Sequence, residues 1–275
     1  EIMPSLVGSE MCIRDSTVFG LVSQSDSTTP YLARHVGHYA GVPINTPALT
    51  VNRLCGSGFQ AAVTASQEIK AGDAEVVLTG GTENMSMSPY TLHGVRFGNT
   101  RYGVDLKLAD SLAAALTDQV PVPNPMGITA ENLAEKYGIT REQCDQFALQ
   151  SQQRWAKGQE EGAFKDEIVP IEIKSKKGVD VFDTDEHPRP QVNMQTLAKL
   201  SPVFKKDGTV TAGNASGICD GAAANVVASE EALKKYNLKP LVRIAGYGIT
   251  ACEPSIMGIG PVEASKIALL SLIHI

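Results

Sequence analysis

The hydrophobic pattern of the chain changes character twice. Near the start, Thr17–Val22 (TVFGLV) is a short β-rich run. Over Thr29–Gly41, Leu32, Val36, Tyr39 and Ala40 recur at helical spacing and predict a helix with one apolar face. Thr46–Asn52 (TPALTVN) is strand-like again. After Arg53-Leu54-Cys55-Gly56-Ser57-Gly58 the spacing predicts a helix to Lys70, with Phe59, Ala62, Val63, Ser66 and Ile69 on its buried face and Gly72 as its stop. Ala74–Thr79 (AEVVLT) is a continuous apolar strand closed by Gly80-Gly81. Strand, helix and apolar strand in about thirty residues make a βαβ unit, which implies α/β architecture and a parallel sheet with buried strands.

From Ser86 to Thr211 the texture is mixed, and Pro121, Pro123 and Pro125 break it. Thr129 and Thr140 are expected N-caps. Thr140 with Gln143 has the form of a capping box, and Cys144, Phe147, Ala148, Ser151 and Trp155 follow as one helical stripe. Asp166–Ile173 and Gly178–Asp183 are expected short strands. The segment is too long for a loop inside one βαβ unit and is expected to be an insertion. Gly221–Ser229 (GAAANVVAS) then returns to small and apolar residues, as a close-packed core strand would, and Leu241–Tyr247 is a further strand candidate.

Composition narrows the function classes. The chain has 275 residues, 43% of them hydrophobic and 20% charged, with a net charge of −6. Its 24 basic and 30 acidic residues leave no excess to attract nucleic acid. The charge-dense stretch Lys165–Asp207 holds eight residues of each sign, a solvated face rather than a basic patch. No apolar run approaches the ~18 residues of a membrane span. The five cysteines are odd in number and none forms C-x-x-C, which fits a reducing compartment and argues against disulfide scaffolds and structural zinc. The His35/His38 pair has helical spacing, but surface or packing roles are expected and no metal site is.

Cys55 carries the most chemistry. It stands where a strand gives way to a glycine-rich helix start, and helix N-terminal N–H groups and the macrodipole both favour an anion there. Gly56 and Gly58 leave space beside the sulfur, and the same N–H groups are placed to stabilise an oxyanion on a carbonyl that the sulfur attacks. On position alone, a nucleophile and a buried thiol packing as a small hydrophobe account for the residue equally well. Other templates do not fit: Gly213-Asn214-Ala215-Ser216-Gly217 is not a G-x-S-x-G elbow, and no phosphate loop or dinucleotide fingerprint is present. Thr209–Gly217 (TVTAGNASG) suits a flat or extended ligand lying on the backbone, or a plain turn.

NRLCGSGFQA, VVLTGGTENMS, TAENLAEKYGI, DGTVTAGNASG, DGAAA and MGIGPVEA occur in this order between Thr17 and Ala268. Together they resemble the thiolase family, on the side of its mitochondrial-type 3-ketoacyl-CoA members. The resemblance implies a layered α-β-α-β-α fold of two βαβαβαββ halves, the first interrupted by a loop domain. In this chain it implies an incomplete version: first-half core at 17–88 and 218–240, loop domain at 89–217, and the start of the second half at 241–269. Residues 1–16 and 270–275 show no native pattern and are expected to be a foreign leader and tail, like translated adapter sequence.

The resemblance also implies the chemistry. A 3-ketoacyl-CoA is cleaved by a second CoA to acetyl-CoA and a shortened acyl-CoA, with Cys55 as the acyl-thioester nucleophile. Arg189 corresponds to the arginine beside the adenine nucleotide, Phe204, Ala212 and Ser216 to residues along the pantetheine arm, and Met257 to a methionine near the reacting end. Leu116 corresponds to a loop-domain contact. Pro125-Met126 replaces the His-Met of acetoacetyl-CoA thiolases and favours the degradative class, with Met126 also facing substrate. CoA is implied as a co-substrate, without a permanently bound cofactor. The family further implies a homodimer or homotetramer and a mitochondrial location, with a peroxisomal one as alternative. Asn-Glu-Ala-Phe, Gly-His-Pro and a C-terminal Cys-x-Gly are absent from these residues, so the chain as written is expected to be inactive. The alternatives are an acetoacetyl-CoA thiolase and a non-catalytic short form that binds CoA or a partner.

Overall fold

The structure is a computed structural model describing residues 15–98 and 100–273. Most of the expected leader, Cys12 included, and His274 lie outside the described residues. In chain order the elements are β1 (Ser16–Gly20), α1 (Leu32–Tyr39), β2 (Ala48–Val51), α2 (Ser57–Ala71), β3 (Val76–Asn84), β4 (Tyr90–Leu92), β5 (Leu108–Asp110) and α3 (Ser111–Ala115). Two-residue strands β6 (Thr117–Asp118) and β7 (Asn124–Pro125) precede α4 (Met126–Tyr137) and α5 (Arg141–Glu160). Then come β8 (Ile171–Ser175), β9 (Gly178–Phe182), α6 (Met194–Ala198), β10 (Asp220–Ala228), α7 (Glu230–Lys235) and α8 (Gly260–Ile273). These divide into two compact units, one of 15–117, Ile218–Thr250 and 262–273, the other of Asp118–Gly217 and Ala251–Pro261. Residues 89–117, expected in the insertion, group with the first unit, and β1 begins at Ser16, inside the segment expected to be foreign.

The first unit is built on a sheet of order β10-β3-β1-β2, with β1 parallel to both β2 and β3 and β10 antiparallel to β3. Because successive strand residues point to opposite faces, Val18 and Val77 pack with Ala61 and Ala65 of α2, while Phe19 and Leu78 pack with Ala33 of α1. Both faces are covered, which is why these strands read as unbroken apolar runs. Gly72 closes α2 in the left-handed region at φ 82°, as expected.

Several expectations are corrected. On α1 the expected Leu32, Val36 and Ala40 pack half-buried against the core beside the fully buried Ala33 and Gly37, and Tyr39 departs from the face at 87% exposed. On α2 the expected Ser66 is buried and Ile69 packs against the core, but the other buried residues are Ser57, Ala61 and Ala65, and Phe59 is 83% exposed. In both helices the fully buried positions are small residues, and Leu32 and Val36 of α1 and Ile69 of α2 pack beside them while both rings stay outside. β3 runs on through Gly80-Gly81 to Asn84, paired with β1 on one side and β10 on the other, and the Ala223 carbonyl and the Phe19 ring leave no room for a side chain at Gly80. β10 is an edge strand, exposed from Asp220 to Asn225, and not a closed core strand. Leu241–Tyr247 forms no strand, and Leu241 and Val242 are exposed.

In the second unit Thr140 and Gln143 complete the expected capping box at α5: the Gln143 N–H donates to Thr140 Oγ1 at 3.2 Å, and the Thr140 N–H to Gln143 Oε1 at 2.8 Å. Thr129 is not a cap. Pro125, extended at ψ 143°, already starts α4 at Met126, and the Thr129 hydroxyl donates to the Met126 carbonyl at 2.7 Å. The stripe on α5 is also corrected: Asp145 is its buried residue and Phe147 is exposed. The hairpin β8–β9 is antiparallel and exposed along both strands. No helix among the described residues is long and apolar enough to cross a membrane.

A close backbone contact in the first unit lies under the start of α2. Gly20 of β1 and Gly81 of β3 are register partners. A Cβ on Gly20 would lie 2.5 Å from the Ser57 carbonyl oxygen, and one on Gly81 would lie 3.2 Å from Gly58 Cα. Gly58 itself has no neighbour within 4 Å of such a Cβ. Gly20→Ala is therefore expected to destabilise the chain by about 1–3 kcal/mol through overpacking. Gly58→Ala is expected to be neutral or to stabilise by up to ~1 kcal/mol, because alanine is the better helix former. Urea unfolding of the two variants checks the contrast, and equal losses would contradict it.

Candidate active site

Cys55 stands at the apex of a short turn between β2 and α2, and it is exposed. That removes the alternative of a buried packing thiol. The preceding residue, Leu54, has φ 48°, a left-handed conformation that costs a branched side chain energy. Its surroundings hold it there. The Leu54 N–H donates to Asn52 Oδ1 at 2.9 Å, and the Ser57 hydroxyl donates to the Leu54 carbonyl at 2.6 Å. The Arg53 N–H donates to the same Ser57 oxygen at 2.9 Å, and Arg53 Nε to Gln60 Oε1 at 2.7 Å. The turn thus presents a thiol at the mouth of a 15-residue helix whose aligned peptide dipoles favour negative charge.

One expectation about this turn changes. The N–H groups of Gly56 and Ser57 donate to the carbonyls of Arg53 at 3.1 Å and Leu54 at 2.9 Å. They spend their hydrogens on closing the turn and are not free oxyanion donors. Asn52 and Ser57 were missed as supports for Cys55. The available signal was their type, since Asn and Ser beside a tight turn bond the local backbone. Leu116, half-buried at the C-terminal end of α3, belongs to the same unit as Cys55. Among the other cysteines, burial pushes the Cys144 thiol up, while Cys219 and Cys252 are exposed.

Six of the residues assigned to CoA fall in the second unit: Met126, Arg189, Phe204, Ala212, Ser216 and Met257. The Phe204 ring covers Gly127, next to Met126 at the start of α4. Met257 lies in a 3-10 turn, Pro254–Ile259, which α4 anchors through Asn132 Nδ2 donating to the Ser255 carbonyl at 2.9 Å. Ala212 and Ser216 are exposed on the ledge Thr209–Gly217, and the His187 ring lies over Gly217. Arg189 is exposed; its Nη1 donates to the carbonyls of Glu186, His187 and Pro188, so part of its guanidinium is committed to its own loop.

Two buried carboxylates hold that ledge, and neither was found from sequence. Glu131 of α4, 3% exposed, accepts from the Thr209 N–H at 2.8 Å, the Thr209 hydroxyl at 3.0 Å and the Val210 N–H at 2.8 Å. Asp145 of α5, 2% exposed, accepts from Arg141 Nε and from Asn214 Nδ2 at 2.8 and 2.9 Å. Asn214 also donates to the Thr209 carbonyl at 2.8 Å and accepts from the Thr211 N–H at 2.8 Å. The signal was a charged residue on the inner face of each helix, which must be paired if buried. Among the described residues, no group of three or more His, Cys, Asp and Glu is placed to hold a metal.

Burial alone would raise the Glu131 carboxyl, but the hydrogen bonds from Thr209 and Val210 and the charge of Lys205 outweigh it and leave it below its ordinary 4.5. A depressed carboxylate contributes stability that is complete above the unfolded value and is lost as pH falls through the folded one. Glu131→Gln is expected to cost about 1.5–3 kcal/mol at neutral pH and to flatten the fall of Tm below pH ~4.5. Thermal melts of both proteins across that range check this, and parallel acid limbs would contradict it.

Comparison with known proteins follows the same motifs. Residues 11–231 match the family described as Thiolase, N-terminal domain. A mitochondrial 3-ketoacyl-CoA thiolase of Mus musculus is 60% identical over 255 residues, covering 93% of this chain and 64% of that protein. An acetyl-CoA acetyltransferase of Chromobacterium violaceum is 53% identical over 232 residues, covering 84% of this chain and 58% of that protein. A crystal structure of human mitochondrial 3-ketoacyl-CoA thiolase in complex with CoA superposes with a TM-score of 0.92 at 56% identity, covering 98% of this chain and 66% of that one. The chain therefore spans about two thirds of the length of the relatives it matches.

Proposed function

Because this chain belongs to the thiolase family, we propose that the protein it forms part of is a 3-ketoacyl-CoA thiolase of fatty-acid β-oxidation, with Cys55 as its acyl carrier. The observation that carries the proposal is the exposed Cys55 thiol, held by a strained, fully bonded turn at the start of α2. The Cys55 sulfur adds to the 3-keto carbonyl of the substrate, and the bond between the second and third carbons breaks. The electron pair stays on the leaving acetyl-CoA, which takes up the proton that Cys55 gave. The acyl group now sits on Cys55 as a thioester. The thiol of free CoA then attacks that thioester, releases the shortened acyl-CoA and returns its proton to Cys55. Each step exchanges one thioester for another or forms a stabilised carbanion, so no metal or redox group enters the balance.

CoA takes part as a co-substrate. Arg189 meets its nucleotide end, and Phe204, Ala212 and Ser216 line its pantetheine arm, with Met126 and Met257 toward the acyl end and Leu116 as a loop-domain contact. A guanidinium suits phosphate or adenine, and exposed small residues leave room for a narrow chain. The solved CoA complex of a relative 56% identical supports this. The identity to a 3-ketoacyl-CoA thiolase exceeds that to an acetyl-CoA acetyltransferase, and with Pro125-Met126 it favours the degradative class over acetoacetyl-CoA chemistry. The mitochondrial relatives support a mitochondrial location. Residues 17–88 and 218–240 are assigned to the first-half core, 89–217 to the loop domain and 241–269 to the second half, in a homodimer or homotetramer.

In the complete protein, Cys55→Ser is expected to lower kcat/KM for thiolysis by about a thousandfold or more, since an alcohol replaces the thiolate nucleophile. Cys219→Ser should leave it within about threefold. A spectrophotometric assay of 3-ketoacyl-CoA consumption checks both, and a fully active Cys55→Ser variant would overturn the assignment.

A further inference from the structure

The ledge that carries Ala212 and Ser216 is not part of any helix or strand, yet its backbone is tied down almost residue by residue. Thr209 and Val210 donate to Glu131, Thr211 donates to Asn214 Oδ1, and Asn214 Nδ2 bridges the Thr209 carbonyl and Asp145. Arg141, bonded to Asp145, also donates through Nη2 to the carbonyls of Leu197 and Leu200 at 2.7 and 2.9 Å. The side chains of these two leucines press on Gly213 in the middle of the ledge. Two ionised groups have thus been buried to fix one short loop, although a loop needs no buried charge merely to connect two elements.

We propose that Glu131 and Asp145 are positioning residues for CoA: they hold Thr209–Gly217 in its ligand-receiving shape before the pantetheine arm arrives. This rests on the reading of that ledge as the pantetheine site. A loop that is ordered beforehand loses little entropy when its ligand binds, so the carboxylates act on CoA affinity. They do not touch the reacting atoms, so they leave the bond-breaking step alone. The two sites form one connected network through Asn214, and damage at either end reaches the same backbone. Other ionisable groups facing Glu131 are Lys205, which lowers it, and Cys144, whose thiol Glu131 and Asp145 both help to push up.

The test is steady-state thiolysis by the complete protein, with CoA varied at saturating 3-ketoacyl-CoA. Glu131→Gln and Asn214→Ala should each raise KM for CoA about tenfold and change kcat by less than about twofold. Asn214 is only half-buried, so its variant keeps the test open if Glu131→Gln does not fold. The double variant should raise KM by much less than the product of the single effects, because both act on the same backbone. A folded variant with wild-type KM for CoA would overturn the proposal, as would a fall in kcat with KM unchanged. If the wild-type protein cleaved no 3-ketoacyl-CoA, the reading of the site would fail first, a result distinct from an active wild type with unaltered variants.

Discussion

Helix α2 begins so close to its sheet that no side chain fits between them. Gly20 and Gly81, side by side on parallel strands, leave room for the backbone of Ser57 and Gly58 to rest on the strands themselves. This contact fixes the height and direction of the helix start. The turn before it has little freedom left, and Leu54 takes a left-handed conformation to complete it. Ser57 serves twice, seated on Gly20 below and bonded to Arg53 and Leu54 beside Cys55. The position of the thiol therefore follows from the absence of a methyl group on a neighbouring strand.

The second unit solves a related problem with charge. Its ledge is exposed at Ala212, Ala215 and Ser216 and buries Thr211. Glu131 and Asp145 hold it from below, each with its acceptor oxygens satisfied by N–H or hydroxyl donors. Breaking one such pair strands a buried charge, which costs far more than a surface pair is worth. The contrast with the exposed pair Lys205–Glu135 at 2.7 Å is direct: that pair is solvated on both sides and contributes little.

Much of this was legible in the sequence, for physical reasons. Strands buried on both faces leave unbroken apolar runs, so β1 and the start of β3 could be inferred, while β2, exposed to half-buried, was legible from its β-forming residues. The capping box at Thr140 is a local bond between residues three apart and needs no tertiary knowledge. Helix faces were partly legible: Leu32, Val36 and Ile69 pack on the core as periodicity marks them, whereas the fully buried positions are Ala, Gly and Ser and the rings of Tyr39 and Phe59 are exposed. Leu241–Tyr247 carries β-forming residues, but a strand requires a partner edge, which local pattern does not supply. Cys55 stands out by its turn and its motif, whereas Glu131 and Asp145 look like ordinary charged helix residues until the loop they hold is in view.

The most direct measurement is to locate the acyl group itself. Incubating the protein with acetyl-CoA exchanges one thioester for another, leaving acetyl-enzyme and free CoA, and peptide mass spectrometry after an acid quench reports which cysteine carries the acetyl group. The account predicts a single acetyl group on Cys55, with Cys144, Cys219 and Cys252 unmodified. Acetyl on another cysteine with Cys55 bare, or no covalent acetyl at all in a protein that cleaves 3-ketoacyl-CoA, would contradict it.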